Sequence, residues 1–521
     1  MTFVGSKKLI VQALVVLMVS LAVPADTPQS EQGFRGHWGP NFGAQPRLSP
    51  QAVDAPDAPA PFATTALLRW NAISIDASGL DHTPVAPGEN RVFGEQVGPC
   101  RAARAIAIVH IAMFEALNAI VGGFRSYVGL PRWKGPASAD AAIAQAAHDT
   151  LIALWPSQAA AFDQRLAEDL AVIGDAQLKS NGMAFGRRAA IAILALRAAD
   201  GSQHPEPVIG TDFITSDDAG HWRKDPISQI PIALGAHWGE VTPFVLGSAH
   251  QYRVPPPPPM DSPEYAAAFD EVKRLGGDGI DTPTERTAEQ TQIGIYWAYD
   301  GTPSLCAPPR LYNQITVHIA QQKGTTGLNL ARLLALTNVA MADAGIAAWE
   351  SKYFYQFWRP ITGIRESDPG TGPTGTGDGN PDTIGDPVCK PLGAPASNLM
   401  GPNFTPPFPA YPSGHATFGG ALFQVMRDFY GTDNIAFTFT SDEFNGVTKD
   451  NAGNPRPLIP RSFSTLSQAE EENGQSRIYL GIHWSFDKTQ GIAQGRRVGH
   501  YLMKKLFLPV PASATPNGPK K

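Results

Sequence analysis

Cysteine is scarce in this sequence. The 521 residues contain three cysteines, Cys100, Cys306 and Cys389, and none of them belongs to a CxxC pair or to a Cys/His cluster. Structural zinc sites need four closely grouped Cys or His ligands, so a site of that kind is not expected. One disulfide could form and would leave one free thiol, but the count does not indicate which pair would be bonded.

A surplus of positive charge is also lacking. The formal net charge is −6, from 41 Lys and Arg against 47 Asp and Glu. General nucleic-acid binders are basic, because they neutralise phosphates with Lys and Arg, so no nucleic-acid partner is expected. A local cationic pocket remains compatible with this balance, because a few residues are enough to define a pocket.

Only one long apolar run stands out in the sequence, and it lies close to the start. It covers residues 9–23, follows Lys7 and Lys8, and is followed by the small-residue site Val23-Pro24-Ala25. This pattern predicts a signal peptide over residues 1–25 and therefore export to the periplasm or the exterior. The run is shorter than the roughly 20 residues of a membrane span, although an uncleaved anchor is the alternative. We find no second run of that kind, so no stable membrane span is predicted.

Strand-like alternation of polar and apolar residues is scarce, and helical spacing dominates. Apolar residues recur two to three positions apart in residues 101–121, and the neighbouring segments are rich in Ala and Leu, which favour helix. The predicted fold class is therefore all-α, with two helical bundles packed together. Helices are predicted over residues 101–121, 139–155, 159–173, 178–199, 262–275, 284–299, 311–321, 328–357, 415–430 and 476–506.

Segments rich in Pro and Gly divide the chain. Residues 26–65 show no sustained period and are predicted to form an extended N-terminal arm. Residues 201–259 end in five consecutive prolines and mark the boundary between an N-terminal helical half, 66–260, and a C-terminal helical half, 261–521. Residues 366–411 form a second long loop, of the kind that often carries function.

The first of three short motifs is KYFYQFWRP. It contains Lys352 and Arg359, seven residues apart, which is about two turns of a helix and would place both cations on one face, with Pro360 ending the helix. The residues between them are mostly aromatic, too apolar for an exposed basic face. Two cations buried among aromatic rings need a partner, and an anion would serve.

The second motif is PSGH, which delivers Ser413, Gly414 and His415 to the start of a predicted helix. Free backbone N–H groups and the positive end of the helix dipole attract anions there. Ser413 offers a hydroxyl, Gly414 lets the backbone approach closely, and His415 can exchange a proton near neutral pH. Taken singly, Ser413 could equally be an ordinary N-cap and His415 a surface residue.

The third motif is SRIYLGIHWSFD, with Arg477 six residues before His483 and Asp487 four residues after it. His483 and Asp487 could share a helix face, although a lone histidine in apolar sequence is more often a core residue. The three motifs together, in this order, are much stronger evidence than any one of them. They predict that Lys352, Arg359, Ser413, His415, Arg477 and His483 bind a tetrahedral oxyanion.

At this point the sequence resembles a known family. The pattern K-x6-R-P, PSGH and S-R-x5-H-x3-D is similar to the signature shared by vanadium-dependent haloperoxidases and the type-2 phosphatidic acid phosphatase superfamily, whose vanadate and phosphate ligands are near-isosteric. Three further positions resemble chloroperoxidases of the family: Trp349 three before the lysine, Phe408 seven before His415, where bromoperoxidases tend to have a second histidine, and Asp300 in WAYDG.

The resemblance implies roles for these residues in a site in the C-terminal half. Vanadate would be the cofactor, and hydrogen peroxide, a halide ion and a small organic acceptor would be the partners; the oligomeric state is left open. His483 would bond the vanadium, and His415 would be the acid–base residue. Trp349 and Phe408 would line the halide side, and Asp300 would orient Arg477. The remaining vanadate-binding residues would be Lys352, Arg359, Ser413, Gly414 and Arg477.

Two other functions are compatible with the same motifs. A secreted acid phosphatase could use His483 as the nucleophile on phosphorus, with His415 protonating the leaving group. A non-catalytic oxyanion-binding protein would need no acid–base histidine at that helix start. The matches at Trp349, Phe408 and Asp300 favour the haloperoxidase.

Overall fold

The computed structural model describes residues 29–43, 63–86, 88–397 and 399–511. Within them, the first part of the chain forms helices α1 (Gln29–Trp38), α2 (Thr64–Asp81), α3 (Pro99–Val121), α4 (Ala139–Leu154), α5 (Ala159–Ala171) and α6 (Ala176–Arg197). Later helices are α7 (Pro263–Gly276), α8 (Ala288–Tyr296), α9 (Pro308–Gln322), α10 (Gly327–Tyr355), α11 (Pro360–Glu366), α12 (Gly414–Tyr430), α13 (Leu466–Tyr479) and α14 (Ser485–Met503).

Regular β-structure among the described residues amounts to one short antiparallel ribbon. Strands β1 (Phe437–Phe439) and β2 (Arg461–Phe463) pair with Phe437 opposite Phe463. The all-α prediction is therefore confirmed. The predicted signal peptide, residues 1–25, lies outside the described residues.

Two nearly all-apolar helices join the two parts of the chain. Helix α3 begins with Pro99 after Gly98, whose φ of +93° suits glycine, and helix α10 runs for 29 residues. Helices that are apolar on every side are buried on every side, and α3 and α10 pack against each other. The core is therefore continuous across residue 260, and the domain boundary at 260/261 stays a prediction from the sequence.

The same two helices correct one sequence-based statement. Both are long and apolar enough to cross a membrane by composition, whereas no second stretch of that kind was expected from the sequence. However, 89% and 94% of their apolar windows are buried inside the protein. Their length and apolar composition are therefore those of helices in the protein core.

Glycine sets the spacing between α12 and α14, the two helices that frame PSGH. Gly491, Gly495 and Gly499 recur every fourth residue of α14 and face α12. A Cβ atom at Gly491 would lie 2.8 Å from the Ser413 carbonyl oxygen, so any larger residue would push the helices apart. The start of α14 is thus held against the start of α12.

Two predicted helices are wrong in their bounds. The helix that was to carry both Lys352 and Arg359 ends at Tyr355, and Arg359 is the extended residue before α11, because Pro360 disfavours helical geometry in the residue preceding it. The helix predicted over 476–506 is interrupted between α13 and α14, where Gly481 has a φ of +72° and contacts Gly276.

The predicted extended arm is also wrong where the structure describes it. Residues Gln29–Trp38 form helix α1, because Phe34 and Trp38 lie four residues apart and bury one aromatic face, against which Phe42 packs after the helix has ended. Residues 26–28 and 44–62 of the arm lie outside the described residues. All three cysteines are buried and free, so none of the disulfides considered from the sequence is formed.

Candidate active site

The ten residues singled out from the sequence come together in one place. Seven of them line a cavity of about 50 Å³: Asp300, Trp349, Phe408, Gly414, His415, Arg477 and His483. The other three, Lys352, Arg359 and Ser413, lie directly behind this wall. They come from α10, α12, α13 and the segments after α8 and before α11, α12 and α14, so the fold assembles the site from distant parts of the chain.

Arg477, near the end of α13, is fully buried and only partly partnered. Its Nη2 donates to both carboxylate oxygens of Asp300, at 2.7 and 2.9 Å. Its Nε and Nη1 have no hydrogen-bond partner among the described residues. Burial raises the pKa of Asp300 even though Arg477 opposes the shift. Asp300 therefore fixes one edge of the guanidinium and leaves the other edge free.

Arg359 is held in a similar way. Its Nε donates to the Phe408 carbonyl and its Nη1 to the Ile482 carbonyl, both at 2.9 Å, while Nη2 has no partner in the described structure. Burial lowers its pKa to about 9, and Arg477 adds to that effect. Nη1 also lies 3.0 Å from Nε2 of His483.

His483 lies in the loop immediately before α14, and its ring is oriented by Asp487 in the first turn of that helix. Its Nδ1 is 2.7 Å from Asp487 Oδ2, and burial raises the pKa of Asp487 to about 7. Because the carboxylate accepts the Nδ1 proton, Nε2 keeps its lone pair. Burial and then Arg359 hold the pKa of His483 well below its usual range.

His415, in the first turn of α12, is fixed through its ring and its backbone. Its Nε2 lies 2.6 Å from the Ala298 carbonyl, which can only accept, so Nδ1 carries the lone pair. Tyr312 and Asn473 donate to its backbone carbonyl at 3.0 and 2.9 Å. Burial, with Arg477 adding to it, keeps the pKa of His415 well below its usual value, so the ring is neutral at physiological pH.

Lys352 is buried beneath the loop that precedes PSGH. Its Nζ donates to the carbonyls of Pro409 and Ala410, both at 2.8 Å, and to that of Pro412. These three hydrogen bonds use all three ammonium protons. In this geometry Lys352 therefore holds the loop before PSGH in place and adds positive charge beside the site. Burial lowers its pKa well below the usual value, followed by the effect of Arg359, and a nearby anion would oppose that shift.

The serine and glycine of PSGH occupy the start of α12. Ser413 is its N-cap, and the hydroxyl accepts from Ala416 N at 3.4 Å, so the hydroxyl proton stays available to donate. A Cβ atom at Gly414 would lie 3.0 Å from the Trp349 ring. Glycine at this position therefore gives the backbone room beside the cavity.

Trp349 and Phe408 form an aromatic corner of the cavity. Their ring centroids are 4.8 Å apart, and the Trp349 indole N–H donates to the Leu234 carbonyl at 3.0 Å. The Lys352 ammonium and the Arg359 guanidinium lie 5.1 and 4.9 Å from the centre of the Phe408 ring. Phe408 thus lines the cavity and also packs against these two buried cations.

Sequence reasoning missed several residues at the site. Asp487 was named without a role, although its spacing of four from His483 was the available signal. Tyr312 and Asn473 carry no local signal for holding His415. Neither do His37 and Trp38, which reach the cavity from α1. Only tertiary structure brings these last four to the site.

The arrangement is suited to an oxyanion rather than to a directly ligated metal cation. Three buried guanidinium nitrogens, on Arg359 and Arg477, lack partners, and an unpaired buried donor costs about 1–3 kcal/mol. Among the described residues there is no group of three or more His, Cys, Asp or Glu side chains that could hold a metal ion. A tetrahedral anion would pair the free donors and balance the cationic charge.

Comparison with known proteins agrees with this chemistry. A family model, the VCPO second helical-bundle domain, matches residues 332–509. The vanadium chloroperoxidase of Curvularia inaequalis is 31% identical over an alignment that covers 84% of this chain and 82% of that protein.

Solved structures show the same fold. The first bacterial vanadium-dependent iodoperoxidase has a TM-score of 0.64 and 24% identity, over 86% of this chain and 98% of that one. The holo form of a bacterial vanadium-dependent chloroperoxidase has a TM-score of 0.57 and 15% identity, over 80% of this chain and 93% of that one. On the extent and identity of the match to the Curvularia enzyme, this chain belongs to the vanadium haloperoxidase family.

Proposed function

We propose that this protein is a vanadium-dependent haloperoxidase that oxidises halide with hydrogen peroxide to hypohalous acid, with bromide and also chloride as substrates. The observation that carries the proposal is the set of unpartnered guanidinium nitrogens on Arg359 and Arg477 beside His483. Family membership supports the same assignment.

The residues present fit vanadate. Arg359 Nη2 and Arg477 Nε and Nη1 would donate to its oxygens, together with the Ser413 hydroxyl and the Gly414 backbone N–H at the start of α12. His483 would bond the vanadium through its Nε2 lone pair, in place of the contact that this nitrogen makes with Arg359 Nη1. Bound vanadate would supply a Lewis acid that activates hydrogen peroxide toward attack by halide.

His415 is the residue placed to accept and return a proton. Its Nε2 proton is committed to the Ala298 carbonyl, so the exchange takes place at Nδ1. The depressed pKa keeps Nδ1 unprotonated before peroxide arrives, which suits a residue that takes a proton from it. Tyr312 and Asn473 hold the backbone of His415, so the ring is presented in one orientation.

The size of the cavity indicates which molecules react inside it. Its volume of about 50 Å³ is well below the roughly 150 Å³ of a cavity that holds benzene. Peroxide and a halide ion fit, whereas an aromatic acceptor would meet the hypohalous acid outside. Trp349 and Phe408 provide an apolar wall on the halide side, where low polarity strengthens electrostatic attraction.

The proposal is tested by bromination of a phenol dye with hydrogen peroxide, before and after vanadate is added to the vanadate-free protein. We expect bromination to depend on vanadate and to be lost in His415→Ala, because the proton acceptor is gone. His250→Ala, an exposed histidine outside the cavity, is the matched control and should keep full activity.

An acid phosphatase would give the opposite pattern. Strong hydrolysis of phosphate esters without any vanadate-dependent bromination would replace the proposal with that function. A purely oxyanion-binding protein would show no turnover in either assay. From residues 1–25 alone, we also propose that the protein is exported.

A further inference from the structure

Part of the active-site cavity is built by the N-terminal arm. Helix α1 brings His37 and Trp38 into its lining. Trp38 is 4% exposed, and its ring centroid lies 5.2 Å from that of Phe404 and 5.8 Å from that of Phe42. Because this aromatic face is buried, α1 is fixed over the cavity by packing.

Trp38 lies next to the Asp300–Arg477 pair. Gly301 follows Asp300 and also lines the cavity. A Cβ atom at Gly301 would be 3.1 Å from Cη2 and 3.2 Å from Cζ2 of Trp38. The benzo edge of the Trp38 indole therefore packs against Gly301, beside the Asp300–Arg477 pair.

The indole N–H of Trp38 has no hydrogen-bond partner among the described residues. The buried indoles of Trp133, Trp155, Trp238 and Trp358 share that property, but Trp38 alone of these five lines the cavity. Trp349, which also lines it, already donates to the Leu234 carbonyl. A buried donor without a partner is unfavourable, so a ligand in the cavity that accepts a hydrogen bond would relieve it.

A halide ion fits this donor better than the other molecules of the reaction. It is small, negatively charged and a hydrogen-bond acceptor only, and its neighbours would be apolar rings with Arg477 beyond Gly301. His37 does not provide a cation for it, because burial lowers the pKa of His37 to about 3. An indole N–H does not titrate, so it holds an anion without competing with His415 for the proton.

We propose that Trp38 is a halide-binding residue, whose indole N–H donates a hydrogen bond to the halide ion in the active-site cavity. The inference rests on the proposed haloperoxidase function. It makes the N-terminal arm a part of the active site, adding a specific donor to a wall that Trp349 and Phe408 line with rings alone.

The direct test is Trp38→Phe, which keeps an aromatic ring and removes the N–H. Because the lost hydrogen bond would stabilise the bound, negatively charged halide, the KM for bromide should rise about ten-fold or more. The KM for peroxide and the affinity for vanadate should stay unchanged. Trp155→Phe also removes a buried, unpartnered indole N–H, but away from the cavity, and should leave all three quantities unchanged. Equal bromide KM values for Trp38→Phe and the wild-type protein would overturn the inference.

A second readout does not depend on turnover. Broadening of the chloride-35 NMR line by the full-length protein reports halide binding, and it should fall in Trp38→Phe and persist in Trp155→Phe. If no halogenation is found but chloride binding still depends on Trp38, the proposed function fails and this inference stands. Trp38→His restores a ring N–H and should recover part of the loss; no recovery in a folded protein would contradict the inference.

Discussion

Two groups of buried arginines, one in each half of the chain, differ in how their guanidinium donors find hydrogen-bond partners. In the first half, Arg104 and Arg197 both contact Asp200 Oδ2, at 2.6 and 2.7 Å, and donate further to backbone carbonyls. The one nitrogen left over, Arg197 Nε, belongs to a guanidinium that lies 3.9 Å from the centre of the Phe244 ring. This group is completed by protein atoms.

At the active site the arginines are left incomplete. Arg477 is bound by Asp300 on one edge only, and Arg359 by carbonyls, so three nitrogens beside the cavity remain free. The pKa values of the two carboxylates, Asp200 and Asp300, differ in the same sense. Burial raises the pKa of Asp200, but hydrogen bonds from Arg104 outweigh it and the net shift is downward, whereas burial prevails at Asp300. Missing partners, rather than burial of arginine itself, distinguish the binding site from a structural ion pair.

The largest expected effect comes from Asp200→Asn. It leaves Arg104 and Arg197 buried without a carboxylate, and breaking a buried pair in this way costs about 3–5 kcal/mol of unfolding free energy. Denaturant unfolding measures the loss, and vanadate affinity should stay unchanged because the group lies outside the cavity. A loss below about 1 kcal/mol would show that Asp200 does not form a structural ion pair with Arg104 and Arg197. The contrast with the active-site arginines would then fail.

A smaller effect, on binding instead of stability, is expected for Arg477→Gln. The substitution removes two free donors and a charge, and the amide can still donate to Asp300. Because charge-assisted hydrogen bonds contribute about 1.5–3 kcal/mol each, the Kd for vanadate should rise about 100-fold or more. Equilibrium dialysis with elemental analysis of vanadium measures it.

The exposed Arg187 on α6 supplies the matched control for that experiment. Arg187→Gln removes the same charge from the surface and should leave the Kd for vanadate unchanged. Comparable vanadate binding by Arg477→Gln and the wild-type protein would mean that the free guanidinium nitrogens do not form the anion site.

The sequence was sufficient for those parts of the structure that depend on local pattern. Apolar periodicity located the long helices, and three motifs selected the residues that the fold brings to one cavity. It failed where distant contacts decide the geometry. The break at Gly481 depends on close packing against Gly276, and Arg359 left the helix of Lys352 because of the proline that follows it.

The N-terminal arm shows a different kind of limit. The spacing of Phe34 and Trp38 was a usable helical signal, but the surrounding Pro, Gly and Asp suggested an extended chain. That this segment lies over a cavity whose site residues follow it by 260 or more positions could not be read from any local pattern. The assigned roles of the site residues remain predictions that the experiments above address.

The smallest effect concerns a histidine in the opposite electrostatic setting to His415 and His483. His148 on α4 lies 2.8 Å from Asp149 and 2.8 Å from Asp163. Burial lowers its pKa, but the hydrogen bonds to these two carboxylates outweigh burial and raise it. Both ring nitrogens can donate only when the ring is protonated, so the bridge between α4 and α5 is complete in the charged form.

Because the folded-state pKa of His148 is raised, its stabilising contribution is fully present below about pH 6.5 and is lost as the pH rises through the raised pKa. His148→Gln should therefore lower the unfolding midpoint relative to wild type near pH 5.5 and differ much less near about pH 9. The change should stay under about 1 kcal/mol, because Asp163 is exposed to solvent and screened.

His415 and His483 have lowered pKa values, so their effect on stability has the opposite sign. Their contribution to the stability of the folded state is lost as the pH falls below about 6.5. A His148→Gln difference that grows toward high pH would show that the pKa of His148 is lowered like those of His415 and His483, and the contrast between donors satisfied by carboxylates in the first half and donors left free at the site would not extend to the histidines.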